Sequence, residues 1–503
     1  MLDDLIKERR KKLEALGKAG INPYPAGSKR THTAAEAHGD FEKLSSTGGG
    51  SASGGKSGEV SLVGRVTAIR DQGDIIFLDL TDASGKFQVV SKKDTTENFA
   101  LWKSVLDIGD FVSATGTLFE TKKGEESVAA TKFVMLSKSL RPLPSEWYGV
   151  EDVETRLRKR YLDLALNKET QDIFRKKAVF WETFREHLTK EGFLEVETPV
   201  LEAIPGGAEA EPFKTHHNAL DTDFYLRISL ELPLKKLLVG GFEKVFEIGR
   251  IFRNEGIDKE HLQDYTQLEF YWAYRDYNDL MKFVENMYKA VVKKVTGGLT
   301  TTYGEQKIDW GKKWKKVDYV WAFMEANKLD PAKATREELL KKAKELSTEG
   351  GSASGGKFEL DKSLSKGKLI DLIFKKTVRA KLIEPCFLVN PPVEIEPLAK
   401  RSPENANVVE RLQVVACGTE LGKGFSELND PLDQRRRFEE QEKARAAGDT
   451  EAQRLDEDFL EALEYGMPPA AGFGVSERFF AVLMDKPVRE TVIFPLMRPR
   501  SGH

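Results

Sequence analysis

The spacing of apolar residues along the chain predicts a helix, then a small β-barrel, then a larger mixed region. Apolar residues recur at helical intervals over 2–18, which predicts an amphipathic, basic N-terminal helix. Short β-rich runs between 59 and 140, separated by glycine-containing turns, have the spacing of a small barrel. Farther along, the pattern predicts a long helix over 168–191 that leads through Gly192 into a strand ending at Pro199.

The segment from Arg227 to Tyr277 interleaves fixed charges with apolar residues at strand-like spacing. A run of charges alone usually marks a solvated surface. Here Val245, Phe246 and Ile248 stand between the charges, so the pattern favours a buried sheet that presents polar groups to a cleft. Cations beside carboxylates suit a pocket for a polyphosphate and a positively charged small molecule. The charged residues are Arg227, Arg250, Arg253, His261, Glu231, Glu247, Glu255 and Glu269.

Composition narrows the class of protein. The chain has 503 residues, 40% of them hydrophobic, enough at about 150 residues per domain for several domains with substantial cores. Its net charge of −3 argues against binding nucleic acid through overall charge. The two cysteines lack metal-site spacing and exclude a disulfide scaffold. The sequence shows neither the apolar core of a signal peptide nor a membrane-length apolar run, which predicts a soluble, cytoplasmic enzyme.

Several stretches resemble class II aminoacyl-tRNA synthetases, in the lysyl form found in bacteria. FRNEGID followed by H-x-x-x-Y-T-x-L-E-F-Y resembles motif 2 of that family, and GFGVSERFF resembles motif 3. The stretch that begins at Arg156 resembles the family linker and motif 1, whose proline is Pro199. GRV and the following F-L-x-L-x-D-x-S-G-x-x-Q-V resemble the family's anticodon-binding OB-fold. The resemblance covers nearly the whole chain outside two Gly/Ser segments, 46–58 and 350–357.

The resemblance implies an α+β protein with an N-terminal OB-fold β-barrel followed by a class II catalytic domain. Residues 1–58 are expected to form the basic helix and a flexible Gly/Ser loop, and 59–143 the anticodon-binding barrel. Residues 144–503 are expected to form the catalytic domain, an antiparallel sheet flanked by helices. A helical insertion is predicted at about 300–380, where the sequence is rich in helical patterns.

The implied reaction is activation of L-lysine by ATP, followed by transfer of lysine to the 3′ end of tRNA(Lys). The resemblance also implies Mg²⁺ as the metal, a homodimer, and Arg253 and Arg478 as the catalytic groups that stabilise phosphate charge. The other implied ATP-binding residues are Glu255, His261, Tyr265 and Glu420. The implied lysine-binding residues are Gly207, Glu231, Glu269, Tyr271, Lys423, Phe425 and Glu427. Residues 269 and 271 are two positions apart, so on a strand both face one cleft.

In the barrel, the resemblance implies an anticodon-binding face on which bases stack on aromatic rings and are read by polar side chains. Phe77 matches the stacking position and Gln88 a base-reading position, with Arg70 and Glu125 as further contacts. The alternative for Phe77 is a core aromatic residue.

The sequence departs from the family pattern at four places, as in a divergent branch. Gln413 stands where the family has a glutamate metal ligand beside Glu420, and Lys423 replaces an asparagine of the amino-acid pocket. The motif 2 loop reads HLQDYT, and motif 3 is one residue short. Two alternatives therefore stay open. One is a related synthetase for aspartate or asparagine, against which Glu269, Tyr271 and Glu427 argue. The other is a synthetase-like RNA-binding or regulatory protein that no longer aminoacylates.

Overall fold

The computed structural model divides the chain into two compact units, Met1–Glu151 and Asp152–His503. The residues that it describes are 2–45, 58–144, 152–256, 262–348, 364–446, 448 and 452–499. Apart from Gly58, the predicted Gly/Ser segments at 46–58 and 350–357 lie outside the described residues.

The helices of the described residues are α1 (Leu2–Lys18), α2 (Ala34–Gly39), α3 (Phe41–Leu44), α4 (Phe99–Val105), α5 (Val153–Arg158), α6 (Arg160–Leu166), α7 (Lys168–Lys190), α8 (Glu231–Val239), α9 (Tyr277–Thr296), α10 (Tyr319–Asn327), α11 (Arg336–Thr348), α12 (Lys366–Thr377), α13 (Pro431–Ala446), α14 (Glu457–Glu464) and α15 (Arg478–Leu483).

The strands of the described residues are β1 (Glu59–Asp71), β2 (Ile75–Thr81), β3 (Lys86–Lys92), β4 (Phe111–Glu120), β5 (Glu126–Ser137), β6 (Leu194–Glu195), β7 (Leu201–Glu202), β8 (Lys214–His217), β9 (Thr222–Leu226), β10 (Lys244–Phe252), β11 (Asp264–Ala273), β12 (Thr300–Tyr303), β13 (Gln306–Asp309), β14 (Lys315–Asp318), β15 (Cys386–Val389), β16 (Arg411–Ala416), β17 (Thr419–Ser426) and β18 (Ala470–Ser476).

The first unit is built around a closed barrel with the strand order β1–β2–β3–β5–β4. Strands β3 and β5 pair in parallel, and the other neighbours pair antiparallel. Since side chains alternate across a strand, one face of each strand fills the interior, where Val60, Leu78 and Val89 are fully buried. The predicted barrel is confirmed.

The N-terminal segment belongs to the barrel rather than standing apart from it. Leu16 of α1 and Ala37 of α2 are fully buried in the same apolar cluster as the barrel interior. Arg9 of α1 is buried, and its guanidinium donates to the carbonyl oxygen of Ile108 at 2.9 Å. Lys12 donates to Asp107 at 2.7 Å. The helix predicted within 1–58 is therefore present as α1, and its side chains complete the barrel core and its polar contacts.

The second unit contains an eight-stranded sheet in the order β14–β15–β16–β17–β18–β11–β10–β6. It is antiparallel except at its two edges, where β14 pairs with β15 and β6 with β10 in parallel. Neighbouring residues of β11 pack on opposite faces of this sheet. Phe270 packs in an apolar cluster with residues of α7 and α9. Tyr271, the next residue, packs in a second cluster with residues of α8, α13 and α14. Helices thus cover both faces, as predicted.

Two local predictions are corrected. The predicted helical insertion at about 300–380 begins with strands β12, β13 and β14 rather than helices, and only its later part is helical. The hairpin turns at Gly304, which has a φ of 57°, and buries Ile308 in the main core. Its β-branched threonines and glycine turn are strand signals that the helical prediction overlooked. The strand predicted to end at Pro199 is only the two-residue β6.

Candidate active site

A cavity of about 340 Å³ lies over neighbouring strands β11, β18 and β17 of the main sheet. Residues of α8, of the loop before β8, and Arg253, which follows β10, also line the cavity. The predicted site residues that line it are Gly207, Glu231, Arg253, Glu255, Tyr265, Glu269, Tyr271, Glu420, Lys423, Phe425 and Arg478. Residues far apart in the chain are therefore brought together.

Strand β11 supplies a rigid carboxylate. Alternation puts Gln267, Glu269 and Tyr271 on the cavity side of the strand. One oxygen of Glu269 accepts from Gln267 Nε2 at 2.6 Å, Ser229 Oγ at 2.8 Å and the backbone N–H of Leu230 at 3.0 Å. The other accepts from the Tyr271 hydroxyl at 2.9 Å. These donors fix the carboxylate in place, and Gln267 and Ser229 were missed by the sequence analysis.

Two more carboxylates lie close to Glu269 at the same end of the cavity. Glu231 begins α8 and lines the cavity, whereas Glu427 is 1% exposed and lies behind the lining. Burial raises the pKa of Glu231 to about 7, although nearby Lys235 opposes the shift. Burial also raises the pKa of Glu427 well above its usual value, again against the effect of Lys235. This end of the cavity is therefore acidic and short of positive charge.

Lys235 was not predicted from the sequence. It lies one helical turn after Glu231 on α8, its side chain is 0% exposed, and Nζ is 2.6 Å from a Glu231 oxygen. It also contacts Glu427. The signal that could have found it is the i, i+4 spacing of a glutamate and a lysine in the apolar stretch ELPLKKLLV.

Two glycines make room for these carboxylates. Gly207 has a φ of 82°, and a Cβ there would meet the Cβ atoms of Glu231 and Ser229 at 3.0 Å. A Cβ on Gly472 of β18 would overlap the Tyr271 ring and a Glu427 oxygen. A side chain at either position would therefore displace the acidic groups.

Two arginines line the cavity near the start of β11, several residues along that strand from Tyr271. Arg253 directly follows β10, its Nε donates to the carbonyl oxygen of Ile228 at 3.3 Å, and its guanidinium lies 5.7 Å from the centre of the Tyr265 ring. Arg478 is the first residue of α15 and lines the cavity. The cavity thus has a carboxylate end and a guanidinium end.

The shortened motif 3 still has a firmly held turn. Glu477, 1% exposed, accepts from the backbone N–H of Thr266 at 3.2 Å, and its own N–H donates back to the Thr266 carbonyl at 3.3 Å. Its carboxylate also pairs with Lys177 of α7. These contacts tie β18 to β11 immediately before Arg478, so the turn remains anchored without the missing residue.

Glu420 and Lys423 of β17 form a charged wall. Burial tends to raise the pKa of Glu420, but the cations Lys423, Arg411 and Arg478 outweigh it and lower the pKa to about 2. The Lys423 ammonium is 3.0 Å from Glu396, a residue that the sequence analysis missed. Lys423 is therefore held by an internal carboxylate.

Gln413, the second predicted metal ligand, does not line the cavity. It is 5% exposed on β16, directly across from Lys423 of β17. Among the described residues, no group of three or more His, Cys, Asp or Glu side chains could hold a metal ion. The donor set is thus one ionised carboxylate, Glu420, which fits Mg²⁺ carried by substrate phosphates better than a site built from protein ligands alone.

Four of the eight charged residues singled out in the 227–277 segment lie outside the cavity lining or cannot be placed. Arg227 and Glu247 form a buried pair at 2.6 Å, and Arg250 pairs with Asp264 at a partly exposed position. Their charges are balanced internally, so the sequence pattern assigned them to the pocket wrongly. His261 lies outside the described residues.

In the first unit, Arg70, Phe77 and Gln88 of the predicted anticodon residues lie on the neighbouring strands β1, β2 and β3, and Glu125 lies in the turn before β5. Arg70 is directly across from Phe77, 6.0 Å from the centre of its partly exposed ring. Gln88 is 5% exposed and accepts from Ser127 Oγ, which also donates to the Glu125 carbonyl oxygen. Phe77 is thus accessible, while one side of the Gln88 amide is already used.

Comparison with known proteins agrees with this architecture. The family described as tRNA synthetases class II (D, K and N) matches residues 152–498, and the OB-fold nucleic acid binding domain matches residues 60–136. The chain therefore belongs to the class II tRNA synthetases.

Similarity over the full length places it more narrowly. The lysine–tRNA ligase of Roseiflexus castenholzii is 44% identical over 99% of this chain and 100% of its own length. Those of Carboxydothermus hydrogenoformans and Bacillus subtilis are 43% and 41% identical, with 99% of this chain and 99% and 98% of their own lengths covered. Within class II, its family is that of the lysine–tRNA ligases. In the described part of the chain, no helix is long and apolar enough to cross a membrane.

The buried pair of Arg227 with Glu247 should contribute more to stability than the partly exposed pair of Arg250 with Asp264. Arg227→Met leaves Glu247 charged and buried, so the free energy of unfolding should fall by about 3–5 kcal/mol in urea denaturation. Arg250→Met breaks a partly exposed pair and should cost less than about 1 kcal/mol. Equal losses in the two variants would contradict the assignment.

Proposed function

We propose that this ATP-dependent ligase activates L-lysine with ATP to lysyl-adenylate and then transfers the lysyl group to the 3′ end of tRNA(Lys). The observation that carries the proposal is a single cavity that is lined by Glu231 and Glu269 and, where β10 and β18 end, by Arg253 and Arg478. A substrate pair with an ammonium and a polyphosphate is complementary to that arrangement.

The acidic end favours a cationic side chain. Glu269 and Tyr271 face the cavity, Glu231 borders it and Glu427 lies just behind. Buried carboxylates are costly unless a cation compensates them, and the lysine ε-ammonium can do so. An uncharged analogue leaves the carboxylates without that compensation, which gives strong discrimination. Aspartate would add another negative charge, so the arrangement argues against the aspartyl alternative.

The guanidinium end suits the adenylation step. In that step an oxygen of the lysine carboxylate bonds to the α-phosphorus of ATP, and the bond from that phosphorus to the bridging oxygen breaks to release pyrophosphate. Negative charge grows on the phosphate oxygens, where Arg253 and Arg478 can stabilise it. The lysine carboxylate is already ionised, so this step needs no general base. Tyr265 and Glu255 line the same end and are proposed to hold the adenosine.

In the second step the terminal hydroxyl of tRNA attacks the acyl carbon, and the bond from that carbon to the phosphate oxygen breaks. AMP leaves and takes up the hydroxyl proton on a phosphate oxygen. No protein base is assigned, and the arginines continue to hold the phosphate.

We infer that Mg²⁺ accompanies ATP and that Glu420 supplies a protein oxygen to it. Mg²⁺ commonly uses one or two carboxylates together with substrate phosphates and water. The low pKa of Glu420, about 2, keeps the carboxylate ionised at neutral pH. When bound, the ion neutralises phosphate charge. Gln413 could support this wall from β16 but brings no charge.

The barrel is proposed to bind the anticodon of tRNA(Lys) through Phe77, Arg70, Gln88 and Glu125. The site of the reaction is proposed to be the cytoplasm, where ATP, lysine and tRNA are available together.

A homodimer is the proposed assembly. Large apolar side chains in the stretch that resembles motif 1 are exposed, and such exposed groups mark interaction surfaces. They are Leu194, Val200, Leu201 and Ile204. Light scattering should give twice the chain mass of 56.6 kDa, and a monomer mass would contradict this assembly.

The activity is tested by ATP–pyrophosphate exchange with each of the twenty amino acids. Lysine alone should support exchange, and Glu269→Gln should lower kcat/KM for lysine by about 100-fold, since one pocket charge is lost. Glu461→Gln, at an exposed position of α14, is the matched control and should be unchanged. Exchange with aspartate or asparagine would contradict the pocket assignment. Folded protein with no exchange would favour the RNA-binding alternative without aminoacylation.

The barrel assignment is tested separately. Phe77→Ala should raise KM for tRNA(Lys) by about 10-fold, because a base–aromatic stack is worth about 1–3 kcal/mol, while exchange stays unchanged. Phe111→Ala, which removes a partly buried ring beneath Arg65 on the same barrel, is the control. A loss of exchange, or an unchanged KM for tRNA, would contradict the assignment.

A further inference from the structure

The floor of the acidic pocket contains a lysine of the protein itself. The Lys235 side chain is 0% exposed, its ammonium is 2.6 Å from Glu231, and it also contacts Glu427. The Phe425 and Phe459 rings lie 5.3 and 6.0 Å from the ammonium. An ammonium between two carboxylates and beside aromatic faces is in a strongly favourable setting, since each partner offers negative potential.

The remaining charges of the pocket are held by other partners. Glu269 accepts hydrogen bonds from four uncharged groups, which hold its carboxylate in place without adding a positive charge. Lys423, the next cation in the wall, is paired with Glu396. Glu231 and Glu427 therefore share Lys235 as their close ionic partner in the described residues.

Of the three carboxyl groups at this end of the cavity, Glu231 and Glu427 contact the Lys235 ammonium. Lys235 does not line the cavity, so a substrate does not need to displace it. Even with this ammonium present, burial raises the pKa of both Glu231 and Glu427. Without it, the carboxyl groups would be protonated more readily, and a neutral acid attracts a cation only weakly.

We propose that Lys235 is a positioning residue for substrate selection: as an internal counter-ion held between Glu231 and Glu427, it aligns the two carboxyl groups and favours their charged forms for the ammonium of the substrate. This inference rests on the proposed lysine activation. It makes selectivity for a cationic amino acid depend on a residue that the substrate does not touch.

Lys235→Met tests the inference because it removes the charge and keeps an unbranched side chain that is only one atom shorter. In ATP–pyrophosphate exchange, KM for lysine should rise by about 10-fold at pH 7.5, and the preference for lysine over norleucine should fall by a similar factor. The rise should be larger at pH 6.5 and smaller at pH 8.5, since the unpaired carboxyl groups ionise as the pH rises. KM for ATP should not change.

Two variants serve as controls. Lys236→Met removes the neighbouring lysine, which pairs with exposed Asp458, and should behave as the wild type at every pH. Lys235→Arg retains the charge and should restore most of the preference for lysine. Circular dichroism and thermal melting establish whether each variant is folded.

Three results would overturn the inference. The first is a Lys235→Met protein that matches Lys236→Met in KM, preference and pH profile. The second is a lower KM for lysine, which would mean that Lys235 competes with the substrate. The third is an unfolded Lys235→Met protein, which would assign the residue a purely structural role. A wild-type protein without lysine-dependent exchange would instead refute the proposed function, and this is seen before any variant is made.

Discussion

The compensation of buried negative charge is the constraint on which the site depends. Glu231, Glu269 and Glu427 lie at one end of the cavity, each 5% exposed or less. Burying a carboxylate is unfavourable unless hydrogen bonds or cations offset the loss of water. The protein meets this need in two ways, with four neutral donors for Glu269 and one ammonium for the other pair. Because the donors to Glu269 are neutral and one ammonium is shared by two carboxyl groups, this end of the cavity can still gain from the positive charge of a substrate.

The main sheet brings these charged residues together around one cavity. Because β11, β18 and β17 are neighbours, residues from three distant parts of the chain share one face. Gly472 of β18 leaves room for the Tyr271 ring and for Glu427, since a Cβ at this position would overlap both. Arg253 and Arg478 stand where β10 and β18 end, which separates the guanidinium groups from the carboxylates. The fold thereby fixes opposite charges at opposite ends of one cavity.

Much of this arrangement could be predicted from the sequence. The alternation at 269 and 271 correctly puts both side chains on one face, and the barrel follows from the spacing of its short strands. The sheet flanked by helices was implied by the family resemblance instead. Arg227 and Glu247 show where prediction from the sequence fails, because the order of charges along a strand does not reveal which charges pair with each other. Lys235 was missed for a related reason. A lysine in a helix usually faces water, and only the packed structure shows that this one is enclosed.

The most direct test of the account is a crystal structure of the protein with a non-hydrolysable lysyl-adenylate analogue. We expect the ε-ammonium at the acidic end, within about 3 Å of an oxygen of Tyr271 or of one of the three carboxylates. The phosphate mimic should lie against Arg253. Lys235 should remain between Glu231 and Glu427. An analogue bound in the reverse direction, or an ammonium that has replaced Lys235 between its carboxylates, would contradict it.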